Sequence, residues 1–265
     1  VLDAARLQRH HVVLDLNGGS GLLTWEILRR TPEGGTWVLA HDRQAGEGLR
    51  QQAEQLPEMQ RPLVVVVDPS APSGLGLEEV PELLALRGES DLRFDAIVGR
   101  NSLARAHDKA EALHLLAGWL RPGGHLSLAE TVVRRAQRLY DLLDLSDLDR
   151  DLRQRVIEAE EQIYAASGDP LVNWDAQDLR SALEVAGLEG AVEEQVQEAE
   201  TLISPSTLDR WFAVDGHGDR QSYAGHLLQR VTEEELTQLR ALFDHQLANQ
   251  TATWRTHIAF VVGQK

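Results

Sequence analysis

The sequence predicts an α/β fold: a doubly wound, mostly parallel sheet with helices on both faces. Three observations carry the prediction. First, five short apolar runs, at 12–16 (VVLDL), 37–41 (WVLAH), 63–67 (LVVVV), 94–98 (FDAIV) and 125–129 (HLSLA), alternate with stretches of helical spacing. Strands separated by helices form parallel βαβ units with right-handed crossovers. Second, the run at 63–67 is continuous and β-branched, as expected of a strand buried on both faces. Third, Asp15, Asn17, Asp42, Asp68, Asn101 and Glu130 all fall at or just beyond the carboxyl ends of these runs. Open α/β sheets bind ligands at that edge, near the point where the strand order reverses. One polar residue there is ordinary; a coordinated series is not.

Residues 1–10 read as a short amphipathic lead-in. The first strand passes into Asn17-Gly18-Gly19-Ser20-Gly21, after which Leu22, Leu23, Ile27 and Leu28 mark a helix to residue 30. Glycine adopts positive φ and lets backbone approach a ligand closely, so strand, tight turn and helix make a cradle for a phosphate or ribose. No Lys follows the turn, which excludes a G-x-x-x-x-G-K-[ST] phosphate loop; G-x-G-x-x-G fits poorly because Asn17 holds its first glycine position or the spacing breaks. Pro32-Glu33-Gly34-Gly35 is a turn. The second strand ends at Asp42, and a helix is expected over 46–55. The third strand ends at Asp68, followed by a loop at 69–76 and a short helix at 78–86. The fourth runs into Gly99-Arg100-Asn101. A helix at 113–120 then meets Arg121-Pro122-Gly123-Gly124, where Pro ends the helix and two glycines turn the chain into the fifth strand.

Beyond Glu130, residues 132–144 and 148–165 read as two helices. Asp169-Pro170 is a turn, and Asp175 caps a helix over 175–186 that Gly187 closes. Residues 191–195 suit a sixth strand. Ser204 caps a helix to residue 212, and Gly216-His217-Gly218 is a loop. Thr232 and Glu235 form a capping box for a helix over 233–249, and 253–263 (TWRTHIAFVVG) is a last strand. The expected organisation is a core over 1–131, with 132–265 supplying an inserted helical lid and strands six and seven of the same domain.

At 265 residues and 42% hydrophobic content the chain is long and apolar enough for one large globular domain or two small ones. No apolar run approaches the ~20 residues of a membrane span, and no signal peptide is recognisable, so a cytoplasmic location is expected. The absence of cysteine excludes disulfides, cysteine-containing zinc sites and cysteine nucleophiles; no metal site is expected. The net charge is −16. Between Asp141 and Glu200, seventeen Asp or Glu stand against four Arg, a balance of −13. Such a surface argues against direct nucleic-acid binding, although a solvated acidic helix surface is the plainer account of the acids.

The stretch Asp15-Leu16-Asn17-Gly18-Gly19-Ser20-Gly21 fits D-x-G-x-G-x-G with Asn17 in place of the first glycine. It resembles the first motif of the class I S-adenosylmethionine-dependent methyltransferases. Asn tolerates positive φ next best after glycine, so the turn is expected to survive the change. LRPGG leading into HLSLA is similar to the family's stop before its fifth strand, and FDAIVGRN followed by His107-Asp108 to its fourth strand and loop. The resemblance covers 1–131 and the last strand. It implies a Rossmann-like seven-stranded sheet whose last strand lies antiparallel beside the sixth, and S-adenosylmethionine as cofactor. It also implies cofactor-binding roles for Asp15, Asn17, Gly18, Gly19, Gly21, Asp42, Asp68, Arg100 and Asn101. Asp42, 27 residues after Asp15, is placed to accept the ribose hydroxyls, a task that suits an acceptor-only carboxylate; the competing role is a helix cap. Asp68 corresponds to the family's Asp facing the adenine amino group, and Arg100 and Asn101 to the backbone beside the methionine end.

A closer resemblance is carried by LRPGGHLSLAET, QRLYDLLDL, AEEQIYA, VNWDAQDL, LDRWF and WRTHIAFVV. These strings look like the methyltransferase-like region joined to the C-terminus of some bacterial AAA+ ATPases of the replication-associated recombination family. An attached AAA+ ATPase is then an expected partner, and a chain beginning at Val1 rather than Met agrees with a piece of such a fusion.

No catalytic residue can be read from the sequence. Methyl transfer needs a base only when the acceptor must lose a proton. His107 is a candidate by position, against the plainer reading of a surface-loop histidine; His217 is weaker. Tyr140, Tyr164 and Trp174 suit either the wall of an acceptor pocket or a core. The Asp/Asn-Pro-Pro-Tyr/Phe motif of nucleic-acid amino-methylating enzymes is absent, and cytosine-C5 chemistry needs a cysteine. A small-molecule or protein methyl acceptor remains. The alternative is a non-catalytic interaction module on the same fold, since fold does not fix function.

Overall fold

The computed structural model describes residues 1–68, 75–77, 79–86, 88, 90–214 and 221–265. Most of the loop expected at 69–76, Glu78, and Gly216-His217-Gly218 lie outside the described residues.

The strands are β1 (Val12–Asp15), β2 (Gly35–Ala40), β3 (Leu63–Val66), β4 (Phe94–Arg100), β5 (Leu120–Thr131), β6 (Glu189–Ile203) and β7 (Gln250–Gln264). They form one sheet in the order β3-β2-β1-β4-β5-β7-β6. The pairs β3–β2, β2–β1, β1–β4 and β4–β5 are parallel, and β5–β7 is antiparallel. This is the expected doubly wound sheet with an antiparallel last strand. Strand order reverses between β1 and β4, so the switch point lies beyond the carboxyl ends of those two strands. The helices are α1 (Leu22–Arg30), α2 (Arg43–Ala53), α3 (Glu79–Leu86), α4 (Lys109–Trp119), α5 (Arg150–Tyr164), α6 (Ala176–Val185), α7 (Pro205–Phe212), α8 (Tyr223–Leu227) and α9 (Glu233–Leu247).

Alternation along the strands fills both faces. Val13, Ala96 and Val98 pack with Ile27 on one side, while Leu14, Ile97, Leu39 and Leu126 join a larger core on the other. A sheet dry on both faces explains the unbroken apolar runs. Caps set the helix starts: Asp42 opens α2, and Asp108 accepts from the N–H groups of Ala110 and Glu111 to open α4. Both helices therefore begin earlier than the apolar spacing alone predicts. The capping boxes of α6, from Asp175 and Asp178, and of α9, from Thr232 and Glu235, are present.

The chain comprises two compact units, one of Val1–Val132, Trp174–Gln195 and Ile258–Lys265, the other of Val133–Asn173 and Val196–His257. The second has its own core of Leu145, Leu152, Val156, Leu227 and Leu239. The helix expected over 132–144 is corrected to two short 3-10 turns, Val133–Arg135 and Tyr140–Leu142. The cause is capture of backbone by side chains. Glu160 on α5 accepts the N–H groups of Leu139 and Tyr140, and the Arg138 guanidinium donates to the carbonyls of Ala136 and Arg134. Those groups are then unavailable to a helical ladder. The sixth strand, expected at 191–195, runs fifteen residues to Ile203. It forms the edge of the sheet, with Glu189, Glu193, Glu198 and Glu200 exposed along it. No helix among the described residues is long and apolar enough to cross a membrane.

Candidate functional site

The site is built on the turn after β1. Asp15 ends that strand and is fully buried. Its Oδ1 accepts the Asn17 N–H at 3.1 Å, and its Oδ2 accepts the Thr24 hydroxyl at 2.7 Å. Burial raises its pKa to about 6, against the lowering effect of the bonds from Thr24 and Asn17. Asp15 thus bolts the turn to α1 and acts on the cleft through the backbone. Gly18 donates its N–H to the Leu39 carbonyl at 2.8 Å. A Cβ on Gly18 would stand 2.5 Å from Val38 Cγ1 and 2.8 Å from Leu49 Cδ1, so only glycine lets the turn lie flat on β2. Positive φ occurs at Gly19 (39°) and Gly21 (80°).

The turn forms with Asn17 outside the left-handed region, the positive φ angles falling on Gly19 and Gly21. Its role is a side-chain bond. Asn17 Nδ2 donates to the Arg100 carbonyl at 3.0 Å, a link that glycine cannot make.

Asp42 stands exposed just beyond β2. Its Oδ1 accepts the Ala45 N–H at 2.6 Å as the cap of α2, while Oδ2 has no hydrogen bond among the described residues. His41 lies beside it, with Nε2 2.9 Å from the Leu16 carbonyl. A carbonyl only accepts, so Nε2 carries the proton. Burial lowers the His41 pKa and keeps the ring neutral near pH 7.

Beyond β4, Asn101 takes a left-handed φ of 51°. Its N–H donates to Ala129 O, and its Oδ1 accepts the Thr131 N–H, each at 2.9 Å. The following loop is pinned from β5. Glu130, fully buried, accepts the Ser102 N–H at 2.9 Å, the Ser102 hydroxyl at 2.7 Å and the Leu103 N–H at 3.1 Å. Burial raises its pKa to about 7. At the other end, Lys109 Nζ donates to the Ala106 carbonyl at 2.6 Å.

Two clefts open at this edge. One, of about 290 Å³, is walled by Asn17, His41, Asp42, Asn101, Ser102 and Arg105. The other, of about 500 Å³, is walled by Asn17, Gly18, Gly19, Ser20, Arg100 and Asn101. They share Asn17 and Asn101, and together fall within the size of small-ligand sites. Of the residues singled out from the sequence, Asn17, Gly18, Gly19, Asp42, Arg100 and Asn101 converge here. Asp15 sits beneath the turn, and Gly21 faces Trp25, whose Nε1 would lie 2.6 Å from a Cβ. Asp68 is exposed at the end of β3 and lines neither cleft. His107 is exposed and lines neither cleft; Trp174 is buried in the core of the first unit, and Tyr140 and Tyr164 belong to the second. The sequence reading missed His41, Ser102 and Arg105. Only His41 carried a signal, its place immediately before Asp42.

The fold matches that of solved methyltransferases. A Bacillus halodurans protein assigned as a methyltransferase superposes with a TM-score of 0.55 at 14% identity, covering 100% of this chain and 96% of that one. A Galdieria sulphuraria protein assigned as a sarcosine dimethylglycine methyltransferase gives 0.52 at 14% identity, with 100% and 82% covered. A mycolic acid cyclopropane synthase solved with S-adenosylhomocysteine gives 0.51 at 15% identity, with 100% and 81% covered. This is the Rossmann-like methyltransferase fold. At such identity the likeness is one of fold. No protein-family model matches the sequence, and no curated protein does.

Proposed function

We propose that the chain binds S-adenosylmethionine across the carboxyl ends of β1, β2 and β4 and transfers its methyl group to a small-molecule or protein acceptor. The observation that carries this is the convergence of the glycine turn, Asp42 and Asn101 on two adjoining clefts at the switch point. The residues fit the group. Gly18 and Gly19 offer backbone without side chains, Asp42 Oδ2 offers an acceptor for ribose hydroxyls, and Arg100 and Asn101 stand beside the turn. The cofactor supplies a methyl group activated on a sulfonium. The protein's share is orientation and exclusion of water, which suits a turn held by Asp15 and a loop held by Glu130. The expected setting is the cytoplasm.

A second reading has one observation in its favour. Among the described residues walling the clefts, His41 is the only histidine, and its Nε2 is already committed to Leu16 O. No placed base is evident, which suits either an acceptor that needs none or a non-catalytic module of a larger AAA+ protein. Calorimetry separates these possibilities. One-to-one binding of S-adenosylmethionine and S-adenosylhomocysteine, with no heat from NAD, supports the cofactor site. Absence of binding by both sulfur compounds rejects it and leaves the module.

A further inference from the structure

The second unit contains a cavity of about 520 Å³ formed entirely from its own residues. Four aromatic rings wall it: Tyr164, Trp211, Tyr223 and Trp254. Trp211 and Trp254 are stacked, with centroids 6.1 Å apart and planes 29° from parallel. Behind the wall lies Glu160, fully buried. Its carboxylate accepts the Tyr223 hydroxyl at 2.9 Å and the N–H groups of Leu139 and Tyr140 at 2.5 and 3.2 Å. Among the described residues no cation pairs with it, because Arg138 is held by Glu161, at 2.8 Å through Nε and 3.2 Å through Nη2.

These facts select the charge of an occupant. An aromatic face is the negative end of a ring quadrupole, so cations sit well over it. A phenol that donates its proton to a carboxylate has a more electron-rich ring. The buried Glu160 carboxylate has hydrogen bonds but no direct ion pair among the described residues; burial raises its pKa to about 7, with the Arg138 charge opposing the rise only in part. The wall already shows its preference: the Arg138 guanidinium lies over the Tyr164 ring, 3.7 Å from its centroid. A primary ammonium gives up more hydration than an alkylated one on entering a cavity walled largely by rings. A cation with alkyl substituents keeps its charge and buries apolar surface.

We propose that the second unit carries a binding site for an alkylated ammonium cation, formed by Tyr164, Trp211, Tyr223 and Trp254 with the Glu160 carboxylate behind them. The site is independent of S-adenosylmethionine binding, and its test requires no cofactor.

The probe is choline, compared with 3,3-dimethylbutan-1-ol, which has the same shape and no charge. Titrated into the full chain with tryptophan fluorescence as readout, choline should give a saturable change. The neutral alcohol should bind at least tenfold more weakly. Trp254→Leu and Tyr164→Leu should each abolish saturation, near-ultraviolet circular dichroism reporting that each variant is folded. Glu160→Gln should narrow the preference for choline over the alcohol. Equal binding of the two probes, or no saturable response to choline in the unmodified chain, overturns the proposal.

Discussion

Asn17 Nδ2 donates to the Arg100 carbonyl at 3.0 Å, joining the turn after β1 to the end of β4 across the switch point. The residue that departs from the glycine-rich pattern is therefore the one that ties the two walls of the cleft together. Asn17→Gly restores the pattern and removes the tie. It should lower unfolding free energy by about 1 kcal/mol, the usual net worth of a hydrogen bond, and weaken S-adenosylhomocysteine binding. Urea titration and calorimetry read the two effects. Tighter binding by the glycine variant would show that the tie does not organise the cleft.

Asp42 caps α2, and that role can be separated from its proposed contact with ribose. Asp42→Ala should lose about 1 kcal/mol of stability with the cap of α2, and about 1.5–3 kcal/mol of S-adenosylhomocysteine affinity if the free oxygen meets ribose. Asp42→Ser keeps a capping oxygen without the carboxylate. Its melting temperature should stay close to that of the parent while affinity falls as far as in the alanine variant. Full affinity in the serine variant removes Asp42 from the site.

Neighbouring glycines should fail differently. Gly18→Ala forces a methyl against Val38 and Leu49 and should cost about 1–3 kcal/mol by overpacking. At Gly19 a Cβ meets only Asn17 atoms, at 3.6 Å and beyond, but φ is positive. Gly19→Val should remain folded by circular dichroism and lose cofactor binding, because the side chain projects toward the cleft. Normal binding by that variant moves the cradle elsewhere.

How much of this was legible follows from where the determinants lie. Period-two and period-3.6 spacing is local, so the five core strands and their helices could be read directly. Capping is local too, which is why Asp175 and Thr232 were placed correctly. The helix expected over 132–144 failed because its rival is 20 residues away: Glu160 takes the N–H groups of Leu139 and Tyr140. β6 was cut short because its glutamates oppose a strand by propensity, while pairing in the sheet overrides propensity. At the candidate site, Asn17 and Asp42 announced themselves by position. The Glu130 grip on Ser102 and Leu103, 28 and 27 residues away, has no local signature.

Stability should peak on the acid side of neutrality. Asp15, Glu130 and Glu160 are buried acids with pKa values raised to about 6, 7 and 7. The folded chain holds their protons more tightly than the unfolded chain, so their contribution is fully present below about pH 4 and is lost as pH rises toward 7. Glu26 and Glu235, lowered to about 2 by bonds from Arg29 and Arg155, act in the opposite direction as pH falls below about 4.5. Melting temperature against pH should therefore pass through a maximum near pH 5 and decline toward pH 8. Glu130→Gln should flatten the decline; an unchanged slope would assign it to other groups.

With a net charge of −16, the chain should not bind labelled duplex or single-stranded DNA, even at ~20 mM salt, where electrostatic attraction is greatest. Fluorescence anisotropy reads this directly. Micromolar binding that weakens steeply with added salt would reveal a basic face and reopen nucleic acids as acceptors.

Among the described residues β6 leaves a row of backbone donors and acceptors at the sheet boundary, and Val196 and Leu202 on it are exposed. An open strand of that length is a template on which a second chain can add. A row of like charges, Glu189, Glu193, Glu198 and Glu200, opposes the addition of an identical strand. Near its isoelectric point of about 5.0 the chain as a whole carries no net charge to hold copies apart. The pH at which the folded chain is most stable is thus also the pH at which two copies can most easily zip together along β6. Turbidity and thermal stability should rise side by side as the solution is acidified.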